Sequence, residues 1–119
     1  MSKVPAFLWQ QSEDELQAAV IEALRYAFPK FEIVAVPNGG YRDPREAAKL
    51  KRTGVVAGIP DIIVAMHTGR VCWIEMKTST GRLSEKQREI HERLATLGHA
   101  VCVCRDVHEA VAFVRECAA

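Results

Sequence analysis

The chain has 119 residues, 49% hydrophobic and 26% charged, with 16 Lys and Arg against 15 Asp and Glu for a net charge of +1. That balance excludes a disordered or fibrous polymer and fits one domain, 1–119, able to bury a core without disulfide or metal staples. Near-neutral charge leaves a nucleic-acid partner open, since local clustering decides that; with no membrane-length apolar run and no signal-peptide pattern, a cytoplasmic, membrane-free location is expected.

Residues 12 to 28 predict a helix: Leu16, Val20, Ala23, Leu24 and Ala27 share one face at the 3.6 period. Ser12 is its N-cap, Glu15 stands at the capping-box position, and Pro29 ends it. "FEIVAVP" (31–37) predicts a strand and "NGGYR" a loop. "DPREAAKLKRTG" predicts a short helix, with Asp43 at the N-cap, Pro44 at the first helical position and Gly54 beyond the end. "GIPDIIVAMHTGRVCWIEMK" (58–77) follows as a hairpin turning near "HTGR". "SEKQREIHERLATLG" (84–98) predicts a helix capped by Ser84, boxed by Gln87 and ended by Gly98. "HAVCVC" predicts a strand, and Asp106 caps a last helix with the stripe Val107, Ala110, Val111 and Val114. The order α, β, short helix, β, β, α, β, α contains no repeat or linker. Strands apolar on both faces imply an α/β fold, a central sheet with helices on both sides, and residues 71 to 104 form a β-α-β unit with parallel strands. Cys72, Cys102, Cys104 and Cys117 show no ligand spacing and are expected as reduced, mostly buried thiols.

Within the hairpin, charge interrupts the apolar runs. Asp61, Ile63 and Ala65 share one strand face, as do Val71, Trp73, Glu75 and Lys77. A three-residue turn with Gly69 left-handed puts both sets on the same side of the sheet. Two carboxylates close together in a buried place repel, and one takes up a proton unless a cation is present. Hard carboxylate oxygens favour Mg²⁺ or Mn²⁺. Such a site polarises a phosphodiester and generates hydroxide, and Lys77 beside that water orients it or stabilises the developing charge. A satisfied salt bridge at a sheet end is the plainer reading of the same three charges.

"PD", thirteen intervening residues and "EMK" on a hairpin resemble the PD-(D/E)xK nuclease superfamily. The ordered set "SEDELQAAVIEAL", "VPNGGYR", "GVVAGIPDIIV", "WIEMK" and "GRLSEKQ…LATLGHAVCVC" resembles the VRR-Nuc family over residues 10 to 115. The resemblance implies a restriction-endonuclease-like core, a mixed central sheet flanked by helices, and Mg²⁺- or Mn²⁺-dependent phosphodiester cleavage without a small-molecule cofactor. It implies that Asp61 and Glu75 are metal ligands and also catalytic, that Lys77 is the catalytic lysine, and that Met76 joins the metal set. Stand-alone members are associated with resolution of Holliday-type junctions as homodimers, whereas members fused to repair proteins act on flaps and branched ends.

The family also has an acid on its first helix. Glu13 is in phase with the buried face, whereas Glu15 has a capping role sufficient to explain it, so Glu13 is the expected ligand. Gln87 matches the family's glutamine after the ExK strand; it serves the capping box, the catalytic site, or both. Asn38 is a turn residue or a DNA contact, and Gly39 and Gly40 permit close approach of backbone to phosphate. Arg42, Arg45, Lys49, Lys51 and Arg52 form either a solvated helix face or a clamp on the DNA backbone. His67, His91, His99 and His108 show no ligand spacing and are expected to stay outside the chemistry. Phe7, Leu8 and Trp9 are claimed by no helix stripe and are available for a dimer interface or for packing on their own domain. The resulting expectation is a structure-specific endodeoxyribonuclease for branched DNA; the alternatives are a nuclease for flaps or simple DNA ends, and a non-catalytic junction-binding protein.

Overall fold

The computed structural model describes residues 12–37 and 43–119. In chain order the elements are α1 (Glu13–Ala27), β1 (Glu32–Ala35), α2 (Pro44–Arg52), β2 (Ile62–Ala65), β3 (Val71–Met76), α3 (Glu85–Thr96), β4 (Ala100–Cys104) and α4 (Val107–Ala118), with a 3₁₀ turn at His67–Gly69. Polar caps open every α-helix. The Ser12 hydroxyl accepts the Glu15 N–H, Asp43 accepts that of Glu46, Ser84 that of Gln87, and Asp106 that of Glu109. At α3 the box closes both ways, with the Gln87 side chain accepting the Ser84 N–H.

The sheet is mixed, in the order β1-β2-β3-β4. β1 to β3 run antiparallel to their neighbours; β3 and β4 are parallel, as the intervening helix requires. The hairpin turn has three residues: the Met66 N–H donates to the Arg70 carbonyl at 2.8 Å, and the Arg70 N–H to that of His67 at 3.3 Å. Gly69 is left-handed (φ 76°), and so is Thr68 (φ 60°), whose hydroxyl bonds the His67 carbonyl at 2.6 Å.

One sheet face carries Ile33, Ile62, Val64, Cys72, Ile74, Met76 and Cys104. They form the core with Leu16, Val20 and Leu24 of α1 and Ala110 and Val114 of α4. The thiols are reduced, with Cys72 and Cys104 buried and Cys102 and Cys117 partly so; burial pushes the Cys72 thiol up to about 12. The opposite face is covered unevenly. α3 lies over the β3–β4 half through Ile90 and Leu94, while on the β1–β2 half Val34 is 45% exposed and Ala65 faces solvent. The expectation of helices on both sides holds, but α3 alone is too narrow to span four strands. α2 buries no residue at all.

Candidate metal and catalytic site

The hairpin register decides the site. Ile62 pairs with Ile74, so one step further Asp61 stands opposite Glu75 on the face turned away from the core, at the end of the sheet where β2 begins and β3 ends. The Asp61 carboxylate is held there by the Met76 N–H, which donates to Oδ2 at 2.7 Å. Glu75 is fully buried. Glu13, the first residue of α1, brings a third carboxylate, and one oxygen from each of Glu13, Asp61 and Glu75 lies within 4.8 Å of the others.

Carboxylates this close repel one another, and the cost falls on Glu75, the buried one. Burial, then a hydrogen bond to Asp61 and repulsion by its charge, push the Glu75 carboxyl up to about 9, with Glu13 adding to the rise and Lys77 opposing it. Glu75 therefore holds a proton at neutral pH in the metal-free protein. An all-oxygen donor set with one protonated member fits a hard divalent cation, which would displace that proton.

α3 grips Glu75 from above. Gln87 closes the capping box with its Oε1 and donates from Nε2 to Glu75 Oε2 at 3.3 Å, so one side chain serves both helix and site. One turn later, His91 Nε2 lies 3.2 Å from Glu75 Oε1. Burial holds this imidazole below its ordinary range despite the opposing pull of Asp61. The sequence reading left His91 out; its signal was the i, i+4 spacing from Gln87, which puts both side chains on one helix face. Gly58 lets the Asp61 loop sit against this helix. Its φ is +87°, and a Cβ there would meet the Lys86 carbonyl oxygen at 2.7 Å.

Lys77 directly follows β3, its N–H donating to the Cys104 carbonyl at 3.1 Å. Its stem passes Gly81, where a Cβ would lie 3.3 Å from Lys77 Cδ. Arg105 holds that turn through the carbonyls of Thr78 (2.6 Å) and Gly81 (2.7 Å).

The remaining sequence candidates lie elsewhere. Glu15 is exposed, and it is its backbone N–H that bonds Ser12. The Met76 thioether is buried in the core on the opposite face, so Met76 can reach a metal only through its main chain. Arg45, Lys49, Lys51 and Arg52 are exposed on α2. Asn38, Gly39, Gly40, Arg42, Phe7, Leu8 and Trp9 lie outside the described residues.

A mixed sheet bounded by helices, with three acids and a lysine gathered at one end, is the arrangement expected of a nuclease core. The sequence profile of the VRR-NUC domain matches residues 11–108, and the chain belongs to that nuclease family. A solved structure described as a VRR_NUC domain protein is 26% identical, with a TM-score of 0.67 over 89% of this chain and 87% of its own. A second, described as a VRR_NUC domain, is 18% identical with a TM-score of 0.59 over 82% of this chain and 92% of its own, which bears on the fold alone. No curated protein matches the chain. Among the described residues no helix is long and apolar enough to cross a membrane.

Proposed function

We propose that this protein is a divalent-metal-dependent endodeoxyribonuclease that cuts branched DNA, four-way junctions included, and works as a homodimer. The observation that carries the reading is the convergence of Glu13, Asp61 and Glu75 from three separate elements within 4.8 Å, with Glu75 buried among them. Glu13 is exposed and Asp61 half-buried, but Glu75 is buried beside them, and a buried carboxyl in acidic company costs stability unless it has a use. Glu13, Asp61 and Glu75 would hold Mg²⁺ or Mn²⁺, with any Met76 contribution coming from its main chain. When bound, the cation supplies Lewis-acid polarisation of the phosphodiester and neutralises its charge.

The chain's own groups do the rest. Asp61, fixed by the Met76 N–H, sets one side of the site. Lys77, carried on the same strand face as Glu75, orients the attacking water and stabilises the charge that grows on phosphorus oxygens. Gln87 holds the Glu75 carboxylate in place. Arg45, Lys49, Lys51 and Arg52 present four cations on a helix that buries nothing, which suits contact with the DNA backbone. Asn38 and Arg42, outside the described residues, are assigned to DNA contact on the sequence alone. Recognition is assigned to DNA shape rather than to base sequence. A four-way junction has near-two-fold symmetry and needs two cuts, so one site per chain calls for two chains.

A panel of labelled four-way junctions, flaps, duplex ends and single strands, with and without Mg²⁺ or Mn²⁺, tests this. Paired cuts in junctions that need metal and vanish in Asp61→Asn and Lys77→Ala support it. Preference for flaps or ends would move the substrate, and binding without cleavage under any metal would reduce the protein to a junction binder.

A further inference from the structure

We propose that His91 is a positioning residue for the metal site, holding the Glu75 carboxylate through its Nε2; the inference rests on the metal-dependent reading above. The torsion that turns a glutamate carboxylate about its own axis is broad, so nothing intrinsic to Glu75 fixes the plane of its oxygens. Two side chains fix it here, one on each oxygen: Gln87 Nε2 donates to Oε2 at 3.3 Å, and His91 Nε2 lies 3.2 Å from Oε1, to which it donates in the Nε2–H tautomer. Both come from α3, one turn apart, so they move as one rigid unit with the helix. A carboxylate offers about four lone-pair sites. With one taken on each oxygen from the α3 side, the remaining sites are left for a cation.

The ring lies between two surroundings. Its side chain is 13% exposed, enough to reach the edge of the site, while Glu75 beneath it is 1% exposed. With a proton on Nε2 the ring donates to Oε1 from the α3 side and leaves the other side of the carboxylate clear. Gly58 fixes the height of the helix over the Asp61 loop, because the loop packs against the Lys86 carbonyl. The distance from His91 to Glu75 is thus set from both ends. Outer groups of this kind orient metal ligands, and their loss lowers metal affinity or activity by roughly 10–100-fold.

Two substitutions of the same chemistry but different reach separate positioning from other roles. In His91→Gln the side-chain amide nitrogen reaches as far as the imidazole Nε2; in His91→Asn it stops about one bond short. Both residues are polar and suit a partly exposed helix position. Calorimetric titration with Mn²⁺, and with Ca²⁺ as an inert probe of the site, is read beside junction cleavage. His91→Gln should bind metal and cleave close to wild type, whereas His91→Asn should lose roughly tenfold or more in metal affinity with a matching fall in activity. Equal loss in both variants would overturn the proposal, because the imidazole itself would then be needed as ligand or proton carrier. Wild-type behaviour in both would overturn it as well. Wild-type protein that binds no metal, or binds it unchanged after Glu75→Gln, would instead sink the metal-site reading and take the His91 role with it.

Discussion

Replacing Glu75 by Gln should stabilise the metal-free protein at alkaline pH while abolishing cleavage. In the folded chain Glu75 titrates near 9, against an ordinary value of 4.5. Between those values the folded state keeps a proton that the unfolded chain has released. Stability contributed by Glu75 is therefore full at pH values below the ordinary one and is lost as pH rises toward 9. The slope is at most about 1.4 kcal/mol per pH unit. From pH 6 to pH 8 the loss is on the order of 2 kcal/mol, or roughly 8 °C in Tm for a chain of this size. His91 acts with the opposite sign, since its depressed value makes stability rise as pH approaches its ordinary range from below. That contribution persists in the variant and cancels in the difference between variant and wild type. The Gln amide can donate to Asp61, accept from Gln87, and donate to His91 if the ring switches tautomer, so no buried group is orphaned. Thermal unfolding in chelator from pH 6 to 8.5 should give a falling Tm for wild type and a much flatter curve for Glu75→Gln, with the variant more stable at pH 8. Added Mg²⁺ or Mn²⁺ should lift the wild-type curve at high pH and leave the variant unmoved, because binding needs the ionised carboxylate. A wild-type Tm that holds or rises over that range, with the variant less stable at pH 8, would refute the protonated acid cluster.

The acid on α1 is tested by Glu13→Gln, which should cost metal binding and cleavage heavily, whereas Glu15→Gln should leave both intact and cost under about 1 kcal/mol of stability; the reverse order would remove Glu13 from the site. Gly58→Ala should cost roughly 3 kcal/mol in chemical denaturation, since a left-handed φ is combined with backbone that cannot step aside at Lys86. A loss under about 0.5 kcal/mol would show that the loop and α3 are free to separate. Charge reversal at Lys49, Lys51 and Arg52 should weaken DNA binding and flatten its salt dependence by about one log–log unit per lost phosphate contact; an unchanged slope would return α2 to an ordinary solvated face. Light scattering on the free protein should report a dimer, and a mixed dimer with one Lys77→Ala chain should nick junctions without resolving them.

Much of this architecture is written in short-range pattern. Ser12, Asp43, Ser84 and Asp106 mark helix starts because a cap needs only a side-chain oxygen and the N–H three residues on. Alternation in "DIIVA" and "VCWIEM", with a turn that holds three residues, places Asp61 and Glu75 on one face before any tertiary contact is known, because the pleat has a period of two. The family resemblance pointed to the same charged residues.

What the sequence left open concerns residues that meet only through space. Glu13 and Glu15 are both acidic first-turn residues, and the choice between them depends on where α1 lies against the sheet end, which joins its carboxylate to the hairpin's. Gln87 fits the capping box and the site equally well by pattern; only the height of α3 over β3 shows that it reaches both. His91 shows no ligand spacing along the chain, yet the same helix height sets it on Glu75. α2 has clear start and stop signals in sequence but buries nothing among the described residues, which the sequence did not foretell. Caps and strand alternation are decided by neighbours a few residues apart, so the sequence alone determines them. The protonation of Glu75 and the grip of α3 depend on groups brought together from distant parts of the chain, and they exist only once burial has stripped the water from between them.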